Sequence, residues 1–457
     1  MEKIARIPII LLFIKDEQRM NNKIVNYTRR DFIKGSGAVL GGTLIGASLP
    51  FSARAYASGD EVLKIALVGC GARGAGAAVN ALRADKNLKL VAMADAFRDK
   101  LDETFNNLTK IEDIKGSIDV PEEHKFVGFE GYKDAIALAD VVLLVTPPAF
   151  RPLHFDASIQ SGKHVFMEKP LASDAPGIRQ VLATGELAKK KNLKVQVGLQ
   201  NRYDPAFIEM VDRIHSGAIG DIVSATDYYM VGPVKLVPRE EGQTEMEYQM
   251  RNWRHFNWLW AGSPAGLQIH NTDIVNWVKG SYPVRAHALG GRSAFSGPEN
   301  GDIFDHFFVE YEYADGSKLN SQIRTVKGTF NKGGAYFQGT KGTGNVRDGL
   351  KDLSGTSIWR NRSKDGGNPY QLEHDQFFAA IRNDTPMNDT EWGAMSTMTT
   401  ILGRMAAHSG QLIEWNDGLN SELSILPQTF AWDADPPVMP DENGEYPVPV
   451  PGESPII

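Results

Sequence analysis

Cysteine is nearly absent from this sequence, and positive charge is not in excess. Cys70 is the only cysteine among 457 residues, which excludes an intramolecular disulfide framework and a cysteine-based zinc cage. The formal net charge is -7, and no run rich in lysine and arginine occurs in the later part of the chain. Because nucleic-acid binders contact phosphates with such runs, we expect no nucleic-acid partner.

A long hydrophobic run is also missing. The apolar stretch 35–50 is short and rich in glycine, which argues against a stable membrane span. It follows the pair Arg29-Arg30 and precedes a small-x-small cleavage pattern at 55–57. This order is typical of a twin-arginine export signal. We therefore predict a signal region over 1–57 and a mature protein that is periplasmic or otherwise exported.

The sequence does contain a glycine motif between a predicted strand, 63–68, and a predicted helix, 75–84. The motif is G-x-G-x-x-G, in which the first glycine allows a tight turn, the second lets a pyrophosphate approach the backbone, and the third lets the helix pack on the strand. Amides at the helix start then bind the phosphates. The predicted cofactor contacts from this loop are Gly69, Gly71, Ala72, Arg73 and Gly74.

Further cofactor contacts are expected where the following strands end. A strand over 88–94 ends at Asp95, the position of the acid that binds the ribose hydroxyl. An acid there favours NAD over NADP by charge repulsion, whereas Arg98 keeps NADP as the alternative. Two later strands, 141–145 and 164–167, end in loops that face a cofactor in such sheets. These loops contribute Thr146, Pro147, Glu168 and Lys169, and His154 is either a cofactor-side group or an ordinary helix residue.

These motifs together resemble the Gfo/Idh/MocA oxidoreductase family, and the resemblance runs from about residue 62 to about residue 415. It is carried by the glycine motif, Val145-Thr146-Pro147, Glu168-Lys169-Pro170, Gly198-Leu199-Gln200-Asn201-Arg202, His270-x-x-Asp273 with Trp277, Gly339-Thr340-Lys341-Gly342 and the stretch 377–382. The resemblance implies an α/β fold with an N-terminal Rossmann domain, a doubly wound parallel sheet, over 58–185. A C-terminal α/β domain with a large open, mostly antiparallel sheet would follow over 186–431, and a proline-rich arm over 432–457.

The resemblance also implies the catalytic groups. Lys169 would lie between nicotinamide and substrate, His270 would be the acid/base, and Asp273 would orient the histidine or bind substrate. From the residues alone, a lysine on a loop held by Pro170 is well placed to hydrogen-bond a hydroxyl, and burial would lower its pKa toward proton transfer. The chain departs from the family at Gly266, where many members carry an aspartate, which shifts the proton work onto the lysine and the histidine.

The substrate side is predicted from an aromatic stretch over 251–260. It is either a wall that stacks on sugar rings, with Trp253, Arg254 and His255 as contacts, or an aromatic core segment beneath the second sheet. Gln200 and Arg202 follow a strand at the domain junction and are expected to touch substrate or nicotinamide. No spacing demands a metal ion.

Three functions remain open from the sequence. The leading one is an NAD(P)-dependent sugar, glycoside or polyol dehydrogenase with tightly held cofactor, because the periplasm lacks a free NAD pool. The second is a redox-neutral glycosidase or lyase that oxidises a ring hydroxyl transiently, and the third is a non-catalytic sugar-binding relative. We expect a homo-oligomer, a dimer or a tetramer. The arm after 432 cannot be a helix because of its prolines, so it either wraps a neighbouring subunit or is disordered.

Overall fold

The first layer of the structure is a parallel sheet built from the N-terminal half of the chain. The structure is a computed structural model that describes residues 61–295, 297, 299–362 and 367–455; the predicted signal region lies outside them. The six strands are β1 (Leu63–Val68), β2 (Leu88–Asp95), β3 (Lys125–Val127), β4 (Val141–Leu144), β5 (His164–Met167) and β6 (Val195–Val197). Their order is β3-β2-β1-β4-β5-β6. Every neighbouring pair runs parallel.

Helices cover both faces of this sheet, which is why its strands are apolar throughout. All four residues of β4 and of β5 are buried, as expected for parallel strands covered on both sides. The helices of this half are α1 (Ala72–Ala84), α2 (Arg98–Leu108), α3 (Gly131–Leu138), α4 (Arg151–Gln160) and α5 (Ala175–Lys190). Because α5 crosses position 185 and β6 completes the sheet at Val197, the parallel sheet extends beyond the boundary predicted at 185.

The second layer is a nine-stranded, mostly antiparallel sheet. Its strands are β7 (Ile222–Val231), β8 (Arg285–Gly291), β9 (His306–Glu312), β10 (Lys318–Thr325), β11 (Lys332–Gly339), β12 (Gly342–Asn345), β13 (Gly349–Asp352), β14 (Ser357–Trp359) and β15 (Ile413–Glu414), in the order β14-β13-β12-β11-β7-β10-β9-β8-β15. Only β7 and β10 pair in parallel. Burial alternates along β10, so one face lies on the core and the other faces outward.

The remaining helices bring the two sheets together. They are α6 (Pro205–His215), α7 (Glu245–Arg251), α8 (Asn257–Trp260), α9 (Ile269–Lys279), α10 (Pro369–Arg382), α11 (Thr390–Ser409) and α12 (Trp415–Asn420). Helix α11 is buried over most of its length and contacts α5 as well as β8 and β9. Helix α10 returns to pack on α1, the helix that follows the glycine motif. No helix in the described part of the chain combines the length and the apolar character needed to cross a bilayer.

The C-terminal arm packs on its own chain. The Trp432 ring lies 4.5 Å from Phe129 and 5.2 Å from Phe97 between centroids. Farther on, Tyr446 is 5% exposed and its hydroxyl accepts a hydrogen bond of 2.9 Å from Arg239. The expectation that the arm is not helical agrees with this structure. The alternative that it is disordered is wrong, because these aromatic side chains find apolar partners within the same chain.

Replacing Trp432 by alanine should lower the free energy of unfolding by about 1–3 kcal/mol, since a half-buried aromatic contact is lost. Val450→Ala is the matched control in the same arm. Because Val450 is 47% exposed, its loss should stay within about 0.5 kcal/mol. Chemical denaturation of the mature protein measures both, and equal effects of the two substitutions would contradict the packing of the arm.

Candidate active site

The glycine motif forms an open cradle at the start of α1. Gly69 has a φ of +101°, and a Cβ there would lie 2.6 Å from the Thr146 nitrogen. A Cβ on Gly74 would lie 2.0 Å from the Gly69 carbonyl oxygen. In contrast, a Cβ on Gly71 would meet nothing within 4 Å, and Gly71 caps the helix without a side-chain hydrogen bond. Two glycines thus serve packing, and the third leaves room for a phosphate above the helix amides.

The cradle opens into a cavity of about 940 Å³, at the upper end of the range for small-molecule sites. Most of the predicted cofactor contacts line it: Gly69, Gly71, Ala72, Arg73, Gly74, Asp95, Thr146, Pro147 and His154. The opposite wall comes from the later part of the chain and includes Lys235, Val237 and 250–254. The cavity therefore lies between the carboxyl end of the parallel sheet and a segment that leads into the second half, and its residues fit a dinucleotide.

The end of the cavity near β2 is acidic. The Asp95 carboxylate accepts hydrogen bonds from the amides of Cys70 (2.6 Å) and Phe97 (2.9 Å), and burial raises its pKa. Asp99 lines the same cavity. Arg98, the predicted NADP anchor, instead donates to Asp102 at 2.8 Å and pairs with Glu122. An acidic wall with its arginine engaged elsewhere favours NAD over NADP.

His154 is a neutral polar group on the cavity wall. Its ring stacks on Tyr132 at 4.1 Å, and Nδ1 lies 3.2 Å from the Thr146 hydroxyl. Burial and the charge of Arg151 lower the pKa of His154 to about 3. Arg151 in turn donates to the Thr146 carbonyl at 2.6 Å. Of the two interpretations of His154, the structure places it on the cofactor side.

Lys169 lies at the carboxyl end of β5 with its ammonium held by backbone. Its Nζ donates a hydrogen bond of 2.8 Å to the Gly266 carbonyl, from a segment almost a hundred residues later. Burial lowers the pKa of Lys169 to about 8, with help from the positive charges of Arg73, Arg254 and Arg151 and against the charge of Glu168. A lysine with such a pKa can both donate and accept a proton near neutral pH.

Arg73 links the glycine motif to two buried carboxylates. It forms ion pairs with Glu168 and, at 3.4 Å, with Glu373 of α10, and its guanidinium lies 4.6 Å from the centre of the Tyr370 ring. Burial and the nearby Glu168 raise the pKa of Glu373 well above its usual range. Glu373 is a site residue that no sequence motif singles out, although the stretch 377–382 of the same helix carries part of the family resemblance.

His270 lies in the first turn of α9, directly after a π-helical turn over Pro264–Gln268. Such turns are frequent at functional sites, because they shift the register of backbone carbonyls. The turn contains the Gly266 carbonyl that holds Lys169. The His270 Nδ1 is buried and has no hydrogen-bond partner in the structure. Burial and the charges of Lys169 and Arg73 hold the pKa of His270 well below its usual range, so the imidazole is neutral at neutral pH.

Gly266 is required by its neighbour Trp260. A Cβ on Gly266 would lie 1.9 Å from the Trp260 indole nitrogen, and Trp260 is only 2% exposed. The aspartate that the family resemblance implies for this position therefore has no space beside Trp260. The position contributes its carbonyl to Lys169 instead of a side chain.

Asp273 does not orient His270, contrary to one of its two predicted roles. Its carboxylate accepts two hydrogen bonds from Arg202, of 2.9 and 2.8 Å, and one of 2.7 Å from Ser396. The Arg202 guanidinium is also flanked by the rings of Trp277 (5.1 Å) and Trp392 (4.2 Å). The predicted catalytic aspartate and the predicted substrate arginine thus satisfy one another in a partly buried ion pair.

The aromatic stretch over 251–260 was predicted to be either a substrate wall or a core segment, and it contains residues of both kinds. Trp253 and Arg254 line the cavity, as a substrate wall requires. His255 is 1% exposed, its Nε2 lies 3.3 Å from the Lys235 carbonyl oxygen, and burial lowers its pKa to about 4. Trp258 and Trp260 are core residues. Gln200 is also buried and does not belong to the cavity wall.

Comparison with known proteins agrees with this architecture. Residues 63–199 match the GFO_IDH_MocA model, described as an oxidoreductase family with an NAD-binding Rossmann fold. A myo-inositol dehydrogenase from Streptomyces leeuwenhoekii is 27% identical over 166 residues, 36% of this chain and 44% of that protein. An alpha-N-acetylgalactosaminidase from Shewanella oneidensis is 23% identical over 343 residues, 66% of this chain and 67% of that protein. The match thus spans less than half of the first relative's length.

A solved structure is similar over most of its length. The scyllo-inositol dehydrogenase from Lactobacillus casei, with bound NAD(H) and scyllo-inositol, matches with a TM-score of 0.58 and 20% identity, over 78% of this chain and all of that chain. At this identity the likeness establishes the fold. The predicted fold class is confirmed by it, and the predicted cofactor, NAD, is confirmed by the family match.

Substituting Gly71 by alanine should weaken NAD binding by about 10- to 100-fold, because the methyl group fills the space through which a phosphate reaches the helix amides. The free energy of unfolding should hardly change, since a Cβ there meets nothing within 4 Å. Gly116→Ala, also with open space around its Cβ but far from the cradle, should change neither quantity. Calorimetric titration with NAD and thermal unfolding measure the two effects, and unchanged NAD affinity in Gly71→Ala would contradict the cradle.

Lys169 should titrate near pH 8. Since its pKa is lowered, the reactive neutral amine should form as the pH rises through about 8, well below the range of an ordinary lysine. Acylation of lysines at a series of pH values, read by mass spectrometry, gives the half-point for each residue. Lys110 is exposed and serves as the internal reference. A Lys169 half-point equal to that of Lys110 would contradict the buried site.

Proposed function

We propose that this chain, whose residues 63–199 match the GFO_IDH_MocA oxidoreductase family, is an NAD-dependent enzyme that oxidises or reduces a hydroxyl carbon of a sugar, glycoside or polyol. One observation carries the proposal. The cavity wall includes Arg73, which forms an ion pair with Glu168, the chain neighbour of Lys169. Lys169 donates to the Gly266 carbonyl, which lies one turn before His270, and the His270 Nδ1 is buried without a hydrogen-bond partner. NAD, when bound on the glycine cradle, supplies the hydride acceptor and donor.

The residues of the chain handle the proton that leaves the substrate hydroxyl. Lys169 in its neutral amine form can accept the proton of the hydroxyl, and neutral His270 can hold the hydroxyl through a hydrogen bond. Burial, together with the positive charges of Lys169 and Arg73, holds the pKa of His270 well below its usual range, so a proton on His270 is disfavoured. We infer that the proton comes to rest on Lys169, so that oxidation becomes faster as the pH rises through about 8.

We further propose that NAD stays bound during turnover. Segment 235–254 covers the cavity opposite the cradle, and its Arg251 donates to Asp99 at 3.2 Å and lies 4.1 Å from the Phe97 ring centre. The C-terminal arm then holds Phe97 from outside through Trp432. An exported enzyme would need such retention, because the predicted twin-arginine route delivers it to a compartment without an NAD pool.

A second candidate function is redox-neutral cleavage of glycosides. It is favoured by the similarity to the alpha-N-acetylgalactosaminidase, which extends over about two thirds of both chains. Such a reaction also begins with oxidation of a ring hydroxyl, so Lys169 and His270 would serve in the same positions. It differs in its result, since the aglycone leaves and the ring is reduced again. The presence of both Lys169 and His270 argues against the third interpretation, a non-catalytic sugar-binding relative.

We also retain the proposal of a homo-oligomer. The outer face of the nine-stranded sheet carries apolar side chains in contact with solvent, among them Leu289, which is 74% exposed, and Phe308, which is 37% exposed. A second copy of the chain would cover them. Sedimentation of the mature protein tests this part of the proposal.

The decisive experiment combines Lys169→Ala with a panel of glycosides, free sugars and inositols. Turnover should fall by about 10²- to 10⁴-fold, whereas bound NAD should remain, because the cradle is untouched. Lys110→Ala is the control and should behave like the unmodified protein. Nicotinamide absorbance and aglycone release are followed together. A lasting redox change of NAD identifies a dehydrogenase, and aglycone release without it identifies the second candidate. Full activity of Lys169→Ala would refute both.

A further inference from the structure

The cations on the cavity wall are not all neutralised. The cavity is lined by Arg73, Lys100, Lys235, Arg251 and Arg254. Three of these have carboxylate partners: Arg73 pairs with Glu168, Lys100 with Glu103 at 3.2 Å, and Arg251 with Asp99 at 3.2 Å. Within the described ranges, neither Lys235 nor Arg254 forms an ion pair. Glu240 lines the same cavity but pairs with neither of them.

Arg254 lines the cavity and is connected to the segment that holds Lys169 through its neighbour Trp253. Its guanidinium is 5.1 Å from the centre of the Trp253 ring, and Trp253 packs in one cluster with Trp260 and Leu267. Trp260 is the side chain against which Gly266 fits, and Gly266 holds Lys169. The positive charge of Arg254 also contributes to the lowered pKa of Lys169.

This placement leaves two charges on the cavity wall that a ligand can pair. Arg254 and Lys235 are both exposed to solvent there, and partial burial of Arg254 lowers its pKa. A planar guanidinium binds a carboxylate or sulfate through two parallel hydrogen bonds. The neighbouring indole of Trp253 offers an apolar face for the sugar ring that would carry such a group.

We propose that Arg254, supported by Lys235, binds an anionic group of the substrate, so that the preferred substrates are acidic sugars, uronic acids or sulfated sugars, and not neutral ones. This inference rests on the proposed function. The same cations could instead meet the pyrophosphate of NAD, and the experiment separates these two sources of negative charge.

Matched pairs of ligands test the inference. Glucuronic acid with glucose, and galacturonic acid with galactose, differ at one carbon only. Calorimetric titration of the NAD-loaded protein should show about 10- to 100-fold tighter binding of the acidic member, and added salt should reduce this preference. Arg254→Gln should abolish most of the preference and leave NAD bound. Arg213→Gln, an arginine paired with Glu209 that does not line the cavity, should leave the ratio between acidic and neutral sugar unchanged.

Three results would overturn the inference. If the unmodified protein binds the neutral member as tightly as the acidic one, Arg254 does not read a substrate anion, while the proposed function stands. If Arg254→Gln loses NAD and keeps the ratio, the anion is the pyrophosphate. If neither sugar class binds or reacts although NAD is bound, the proposed function fails together with the inference. The salt titration of the unmodified protein keeps the test valid even if Arg254→Gln does not fold.

Discussion

The hydrogen bond between the Lys169 ammonium and the Gly266 carbonyl, 2.8 Å long, is the contact on which the site depends. It joins the carboxyl end of the parallel sheet to the π-helical turn that leads into His270. Without it, the two groups that handle the proton would belong to separate halves of the chain. Trp260 makes the contact specific, because it leaves no room for any side chain at position 266. Only the backbone carbonyl of Gly266 is therefore available to Lys169.

Most of the charged side chains around this contact form ion pairs. Arg73 shares its charge between Glu168 and Glu373, and Arg202 is matched by Asp273. The carboxylates of these pairs are buried, so removing an arginine would leave a buried charge uncompensated. The result is a site in which Lys169 is surrounded by fixed cations and has its pKa lowered to about 8.

The sequence could predict the parts of the site that depend on local pattern. The glycine motif, the strand ends at Asp95 and Thr146, and Lys169 all follow from neighbours within a few residues, and the parallel sheet follows from apolar runs. Partner choice could not be predicted in this way. Asp273 pairs with Arg202, and Glu373 reaches Arg73 across three hundred residues, because only the tertiary fold brings these groups together. The burial of His255 could likewise not be predicted from the sequence, because its segment contains both residues that line the cavity and residues of the core.

The central claim is that this cavity holds NAD beside Lys169 and does not release it. The most direct measurement is the NAD content of the mature protein, by mass spectrometry of the intact complex, after purification and exhaustive dialysis. The account predicts one NAD for each chain, together with a change in nicotinamide fluorescence when a reactive sugar is added. A protein that arrives without NAD and takes up none when it is supplied would contradict the account from the glycine cradle onward.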